Sequence, residues 1–162
     1  APPLALAEAA GESRINVSRE SGMSSLHAFR PEMGDLLDSA AFVDSEQVAV
    51  ERLDQVFSRY AGPDARPLLK IDTQGAEAAV LAGASGCLDR LALIQIELSL
   101  VPVYEGQPDW RTMVAWFEQR GFDLVLIIPG YFNRRTARLI EVDGVFARRA
   151  AAPSSTIAGA AR

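Results

Sequence analysis

Acidic side chains at the ends of two short apolar runs are the residues of this sequence best placed to do chemistry. Residues 68–71 form the first run, Asp72 follows it directly, and Glu77 comes five residues later. The second run, residues 93–98, carries Glu97 near its end. Carboxylates in such positions can take a proton from a substrate hydroxyl or hold a divalent cation. Asp72, Glu77 and Glu97 are therefore the candidate catalytic residues.

Each of these acids also has a purely structural explanation. Asp72 or Thr73 can cap the helix that is predicted to follow. The negative charge of Glu77 can interact favourably with the positive end of the dipole of that helix. Glu97 is unexpected within an apolar strand, because a buried carboxylate needs a partner. Lys70, in the interior of the neighbouring run, is the natural cation for that pairing. The residues alone leave the structural and the chemical roles open.

The acids lie in a segment where apolar runs alternate with helical patterns. We predict strands at 68–71, 93–98 and 124–128, a helix at 76–81, and a helix that Asp109 caps and Gly121 ends. This alternation predicts an α/β fold, in which helices pack over a parallel sheet. Ligands of such sheets bind outside the carboxyl ends of the strands, which is where Asp72 and Glu97 are expected.

The flanking segments are less regular. Upstream, we predict a half-exposed strand at 14–19, a short strand at 47–50 and a helix at 51–60. Downstream, Asp143-Gly144 separates two apolar stretches, which predicts either a hairpin or one strand with a bulge. Residues 150–162 have no pattern and are predicted to form a disordered tail.

The composition excludes several classes of function. A chain of 162 residues predicts one domain, and its net charge of −5 argues against binding to nucleic acid or to an anionic membrane. The sequence contains no apolar run of membrane-spanning length. Its single histidine argues against a Ser-His-Asp triad and a multi-histidine metal site, and its single cysteine, Cys87, is expected to be a buried small hydrophobe.

The segment around Asp72 resembles the signature of the FkbM-type methyltransferases. Residues 69–77 read Leu-Lys-Ile-Asp-Thr-Gln-Gly-Ala-Glu, and residues 80–84 read Val-Leu-Ala-Gly-Ala. The family pattern is K-I-D-x-[EQ]-G-x-E, followed by x-x-V-L-x-G-A. Weaker likenesses keep the order of the family on both sides of the signature, so the resemblance extends over about residues 3–149.

The resemblance implies both a fold and an activity. The fold would be part of a Rossmann-like, class I methyltransferase sheet, with parallel strands, an antiparallel end pair and helices on both faces. The activity would be transfer of a methyl group from S-adenosylmethionine to a hydroxyl of a small-molecule or sugar acceptor, in the cytoplasm. Asp72 would face the methyl group, Glu77 and Glu97 would assist, and Ala5 would lie near the adenine. No protein-bound metal is implied, although the acids would allow a divalent cation.

The sequence departs from the family pattern in one respect. It contains neither the glycine-rich turn D-x-G-A-x-x-G nor the acid that holds the ribose. We therefore expect residues 1–149 to be the C-terminal part of a methyltransferase domain, beginning near the third strand. On its own, this chain is expected to be inactive and to bind S-adenosylmethionine more weakly than about 1 mM. It is also expected to expose a sheet edge that is open to self-association.

Two alternatives to an active methyltransferase remain open. The first is a non-catalytic pseudoenzyme or interaction module that retains the fold. The second is a magnesium-dependent α/β hydrolytic domain that uses Asp72 and Glu97 to hold the cation.

Overall fold

The computed structural model describes residues 3–36 and 41–150, with the backbone alone at 34–36. The predicted disordered tail lies outside the described residues from 151 onward. Within the described ranges, the strands are β1 Leu4–Leu6, β2 Gly11–Ser18, β3 Phe42–Glu51, β4 Leu68–Ile71, β5 Leu93–Ser99, β6 Phe122–Pro129, β7 Phe132–Asn133, β8 Arg138–Leu139 and β9 Glu141–Arg148. The α-helices are α1 Leu53–Val56, α2 Glu77–Gly83 and α3 Trp110–Gln119.

Two sheets and a two-stranded ribbon organise the described strands. In the first sheet, β3 lies between β1, to which it is parallel, and β2, to which it is antiparallel. The second sheet has the order β4-β5-β9-β6, in which β4 and β5 are parallel and β9 is antiparallel to both of its neighbours. The pairings confirm the prediction of a mixed α/β fold with parallel strands and an antiparallel pair near the end.

One face of the four-stranded sheet carries the main hydrophobic core. Ile94, Ile96 and Leu98 alternate along β5 and are almost fully buried, and Val142 and Phe146 of β9 lie beside them. All three α-helices add side chains to the same cluster. Burial of one such side chain contributes about 1.5–3 kcal/mol, so this layer fixes the position of the strands.

The opposite face of the same strands is partly open and carries both polar and apolar side chains. Gln95 donates a hydrogen bond to Asp143 Oδ2 at 2.7 Å across the β5–β9 pair, and Leu68 is 53% exposed. The expectation of helices on both faces is wrong for the described residues, because α1, α2 and α3 all pack into the core on the first face. Leu126 and Ile128 of β6 share the second face with Gln95 and Asp143 and are exposed, so none of these helices covers that face.

Several local elements differ in length from their predictions. The strand predicted at 47–50 is the ten-residue β3, which pairs with β2 along most of its length. Of the two alternatives at Asp143-Gly144, the structure shows a single strand, β9, and the irregularity opposite it lies in β6, between Leu124 and Leu126. Gly144 serves close packing there, since a Cβ atom would lie 2.6 Å from Leu98 Cδ1. The helix predicted at 51–60 is only α1, followed by a 3₁₀ turn at Phe57–Arg59.

The signals at the ends of α3 are confirmed. Asp109 caps the helix, because its Oδ1 accepts a hydrogen bond from the backbone N–H of Thr112 at 2.9 Å. Gly121 follows the helix with a φ of 79°, the left-handed conformation that glycine favours at this position. Among the described residues, no helix is long and apolar enough to cross a membrane.

Candidate functional site

Asp72 and Glu97 lie side by side at the carboxyl ends of β4 and β5. Ile71 pairs with Ile96 across these parallel strands, so the next residue along each strand is one of the two acids. Gln74 joins them, because its Nε2 donates to Asp72 Oδ1 at 3.0 Å and to Glu97 Oε2 at 3.1 Å. The structure therefore brings two of the candidate carboxylates to one edge of the sheet.

Glu77 joins this group through the backbone of the loop between β4 and α2. It is only 2% exposed, and its carboxylate accepts the N–H groups of Thr73 at 3.1 Å and Gly75 at 3.0 Å. The N-cap residue of α2 is Ala76, which makes no side-chain capping bond. Capping by Asp72 or Thr73 is therefore wrong, and Glu77 instead satisfies the loop donors that would otherwise be buried without a partner.

The loop that carries Gln74 has an uncommon backbone shape. Gln74 has a φ of 53° and Gly75 a φ of 98°, both in the left-handed region. A Cβ atom at Gly75 would lie 2.7 Å from Tyr104 Cβ, so glycine lets this tyrosine close over the loop. The Tyr104 hydroxyl donates to Gln74 Oε1 at 2.9 Å. That bond fixes the amide so that its NH₂ group faces the two acids.

Lys70 forms an ion pair with Asp72 and not with Glu97. Its Nζ lies 2.9 Å from Asp72 Oδ2, so the suggested Lys70–Glu97 pair is wrong. Residues i and i+2 of a strand point to the same side, which places this carboxylate within reach of the amine. Burial acts to raise the pKa of Asp72, but hydrogen bonds from Lys70 and Gln74 outweigh it, and the net pKa is lowered. Asp72 is therefore ionised at neutral pH.

Glu97 has the opposite electrostatic environment. It is 8% exposed, and burial together with the nearby carboxylates of Glu141, Glu77 and Asp72 raises its pKa from the ordinary 4.5 to about 9. Glu97 is hydrogen-bonded to Glu141, whose own pKa is raised, first by burial. At neutral pH, Glu97 therefore keeps its proton while Asp72 does not. Neighbouring carboxyl groups with divergent pKa values are the pattern from which acid and base roles are assigned.

Three residues of this network are not predicted by the sequence analysis. Gln74 fills the [EQ] position of the family pattern, between Asp72 and Glu77, and these are its sequence signals. Tyr104 and Glu141 come from distant segments without a motif. Glu141 reaches the site only because β9 inserts next to β5, where Glu141 pairs with Ser99.

Two cavities reach the acids. The first, of about 350 Å³, is lined by Ala5 and Asp72, so the two residues predicted to bind the cofactor share one cavity. The second, of about 420 Å³, is lined by Gln74, Tyr104 and Glu141. A larger cavity of about 740 Å³ lies where β5 begins and β9 ends, at the opposite end of the sheet from the acids.

Comparison with known families identifies the group to which this chain belongs. The family model described as the Methyltransferase FkbM domain matches residues 3–124 of the 162. This chain belongs to the FkbM methyltransferase family. The FkbM match includes Ala5, Asp72, Glu77 and Glu97, and it ends before Glu141. A search of curated proteins finds no match to the chain, and a search of solved structures finds none.

Membership of the FkbM family confirms the resemblance that the signature indicates. At the level of the family, the domain is a methyltransferase, and the family uses S-adenosylmethionine in general. The acidic network thus lies at the strand ends of an FkbM domain, with a cavity on either side of the Asp72–Gln74 hydrogen bond.

Proposed function

We propose that this FkbM domain transfers the methyl group of S-adenosylmethionine to a hydroxyl group of a small-molecule or sugar acceptor. The observation that carries the proposal is the position of Asp72. This residue lines the first cavity and is hydrogen-bonded to Gln74, which lines the second. A carboxylate at this point can contact a ligand in the first cavity and lies one hydrogen bond from a ligand in the second.

The first cavity suits the methyl-bearing end of the cofactor. Its walls are largely apolar, with Leu4, Ile15 and Leu26 among them, and Asp72 is the one charged residue among those described as lining it. When bound, S-adenosylmethionine supplies an electrophilic methyl group on a positively charged sulfur. The negative charge of Asp72 complements that sulfur, and Ala5 would lie near the adenine.

Asp72 would also act on the acceptor. Its ionised carboxylate can accept a hydrogen bond from the acceptor hydroxyl and take the proton as the new bond to carbon forms. A positioned general base typically contributes about 10²–10⁴-fold to the rate. Because its pKa is low, Asp72 orients and polarises the hydroxyl before it takes the proton. The ion pair with Lys70 keeps the carboxylate charged when no ligand is bound.

Gln74 and the other two acids, Glu77 and Glu97, would position Asp72 and the acceptor. Gln74 holds the carboxylates of Asp72 and Glu97 a fixed distance apart through its two donated bonds. Glu77 holds the loop that presents both Asp72 and Gln74. Placement of this kind matters because correct alignment of reacting groups alone can be worth about 7–11 kcal/mol.

We also propose that residues 1–149 are the C-terminal part of a methyltransferase domain and that the β4-β5-β9-β6 sheet is part of its Rossmann-like, class I methyltransferase sheet. The parallel pair β4–β5 and the antiparallel strand β9 between β5 and β6 support this assignment. β4 lies at the edge of the described sheet. An open strand edge supports self-association, because its backbone groups can pair with another strand.

A labelling experiment tests the proposed function. The protein that carries this domain is incubated with S-adenosylmethionine that is tritiated in the methyl group and with a small-molecule extract of its own cells. We expect the label to pass into a product that survives mild alkali, because a methyl ether is stable there and a methyl ester is not. Label in an alkali-labile product would contradict transfer to a hydroxyl.

The same experiment separates the alternatives to catalysis. Binding of S-adenosylmethionine without label transfer to any component of the extract would favour the non-catalytic module. The hydrolytic alternative has less support, since no group of three or more His, Cys, Asp and Glu side chains is arranged to hold a metal ion in the part of the chain that the structure describes. The FkbM match also favours methyl transfer over hydrolysis.

A further inference from the structure

The second cavity differs in chemical character from the first. Its volume of about 420 Å³ falls in the range of small-molecule sites. Its apolar wall includes Met23, Met33, Tyr104 and Tyr131. Methionine side chains adapt to irregular ligands, and tyrosine rings stack on apolar or sugar surfaces. This wall suits a ligand with an apolar body.

The polar part of the same cavity accepts hydrogen bonds and is acidic. The charged residues that line it are Glu20 and Glu141, and none of the described residues that line it is a lysine, an arginine or a histidine. Glu141 shares a hydrogen bond with Glu97, and Asp72 lies one further hydrogen bond away through Gln74. Phosphate and carboxylate groups would therefore find no cation here and would be repelled by several acids.

The hydrogen bonds of Gln74 connect this cavity to the reacting carboxylate. The Tyr104 hydroxyl, on the cavity wall, binds Gln74 Oε1 at 2.9 Å, and Gln74 Nε2 binds Asp72 Oδ1 at 3.0 Å. A hydroxyl group at the Gln74 end of the cavity would thus be separated from Asp72, the group proposed to take its proton, only by the Gln74 side chain. Glu141 can accept a bond from a neighbouring hydroxyl of the same ligand.

We propose that this cavity binds the methyl acceptor and selects an uncharged, partly apolar alcohol, such as a glycoside with an apolar aglycone, over phosphorylated or carboxylated acceptors. The apolar body lies against the methionine and tyrosine wall, and the hydroxyl groups face Gln74 and Glu141. This assignment rests on the proposed methyl transfer.

Methionine methyl groups report on binding without any turnover. The chain contains three methionines, of which Met23 and Met33 line the cavity, while Met113 is buried in the main core. The chain is labelled with ¹³C at these methyl groups and titrated with phenyl β-D-glucopyranoside or with phenyl β-D-glucuronide. The two probes differ only at C6, where the glucuronide has a carboxylate in place of the hydroxymethyl group. We expect the glucoside to shift the methyl resonances of Met23 and Met33 but not that of Met113. The glucuronide should bind at least about tenfold more weakly.

Variants test the origin of this selectivity. Glu141→Gln removes one negative charge and should therefore reduce the difference in affinity between the glucoside and the glucuronide. Tyr131→Ala shortens the apolar wall and should weaken binding of the glucoside several-fold. Tyr60 does not line the cavity, so Tyr60→Ala should leave this binding unchanged. Both tyrosines are partly exposed, at 48% and 65%, so neither change should unfold the chain.

Three results would overturn the proposal. They are equal binding of the two probes, shifts that appear at Met113 as strongly as at the cavity, and the absence of a shift with either probe. Because no cofactor is present, these results are independent of methyl transfer. Selective binding combined with no label transfer would leave the cavity assigned and the proposed function wrong.

Discussion

The two faces of the β4-β5-β9-β6 sheet use the same strands in different ways. Ile94 and Ile96 of β5 face the core and are fully buried, whereas Gln95 and Glu97 alternate with them on the other face. The first face packs apolar side chains into the main core, whereas Gln95 and Glu97 on the second face accept or donate side-chain hydrogen bonds. The contrast shows that neighbouring residues of one strand can carry stability and chemistry almost separately.

Asp72→Asn, on the second face, is expected to have the largest effect, and that effect is on turnover and not on stability. Asparagine keeps the shape of aspartate but cannot take a proton, so turnover should fall by about 10²–10⁴-fold. The free energy of unfolding should change by less than about 1 kcal/mol, because Asp72 is outside the core. Turnover and urea unfolding of the protein that carries this domain measure the two effects.

Asp123→Asn is the matched control for this change, since Asp123 also forms a surface ion pair, with Arg149 at 2.7 Å. It should leave turnover unchanged. Full activity of Asp72→Asn at unchanged acceptor affinity would mean that Asp72 has only a structural role.

Two adjacent alanine variants compare the faces directly. Ile96→Ala should cost about 2–5 kcal/mol of unfolding free energy, because it removes a fully buried side chain. Gln95→Ala removes one hydrogen bond on the other face, to Asp143, and should cost about 1 kcal/mol. Urea unfolding of both variants provides the measurement. Equal losses would show that the polar face carries as much stability as the core.

Two glycine variants test the closure of Tyr104 over the loop. Gly75→Ala and Gly106→Ala both place a side chain at positive φ, 98° and 73°. Only at Gly75 would the new Cβ meet a neighbour, Tyr104 Cβ at 2.7 Å. Gly75→Ala should therefore cost about 1–3 kcal/mol more than Gly106→Ala in unfolding free energy. It should also lower turnover, because Gln74 loses its partner. Identical behaviour of the two variants would rule out a packing role for Gly75.

Glu97 should make stability depend on pH. Its folded pKa of about 9 lies above its ordinary value, so the folded chain binds the proton more tightly than the unfolded chain. The resulting stability is complete below about pH 4.5 and is lost as pH rises toward 9. Between pH 6 and 8 the loss should be about 2–3 kcal/mol, and Glu97→Gln should remove it. Unfolding curves at both pH values test this, with the exposed Glu118→Gln as control. If the unfolding free energy of Glu97→Gln changed with pH as steeply as that of the unmodified chain, Glu97 would not be the cause of the pH dependence.

The smallest effect is expected in a binding experiment, because this chain should bind added S-adenosylmethionine only weakly. The sequence has no glycine-rich turn and no ribose-binding acid of the family pattern. Contacts from the Ala5–Asp72 cavity must first offset an association cost of at least about 4 kcal/mol. Calorimetric titration should give a dissociation constant weaker than about 1 mM. Micromolar binding would show that these contacts suffice.

The sequence predicts the position of Asp72 and Glu97 because parallel strands end at the same edge of a sheet. It predicts β4, α2, β5 and α3 because their apolar periods and end signals are local. It does not predict the partner of Lys70, since an i, i+2 contact to Asp72 competes with a contact to the next strand. Tyr104 and Glu141 are missed because only tertiary pairing brings them to the loop.

The place of β9 in the sheet has a consequence for the order of folding. β9 is the last strand of the described chain, yet it lies between β5 and β6, which has no other strand neighbour in this sheet. During synthesis, β6 cannot join β5 until residues 141–148 have left the ribosome. Late, non-local contacts of this kind slow folding. The contact between Glu141 and Glu97 would therefore form only when this last strand has paired.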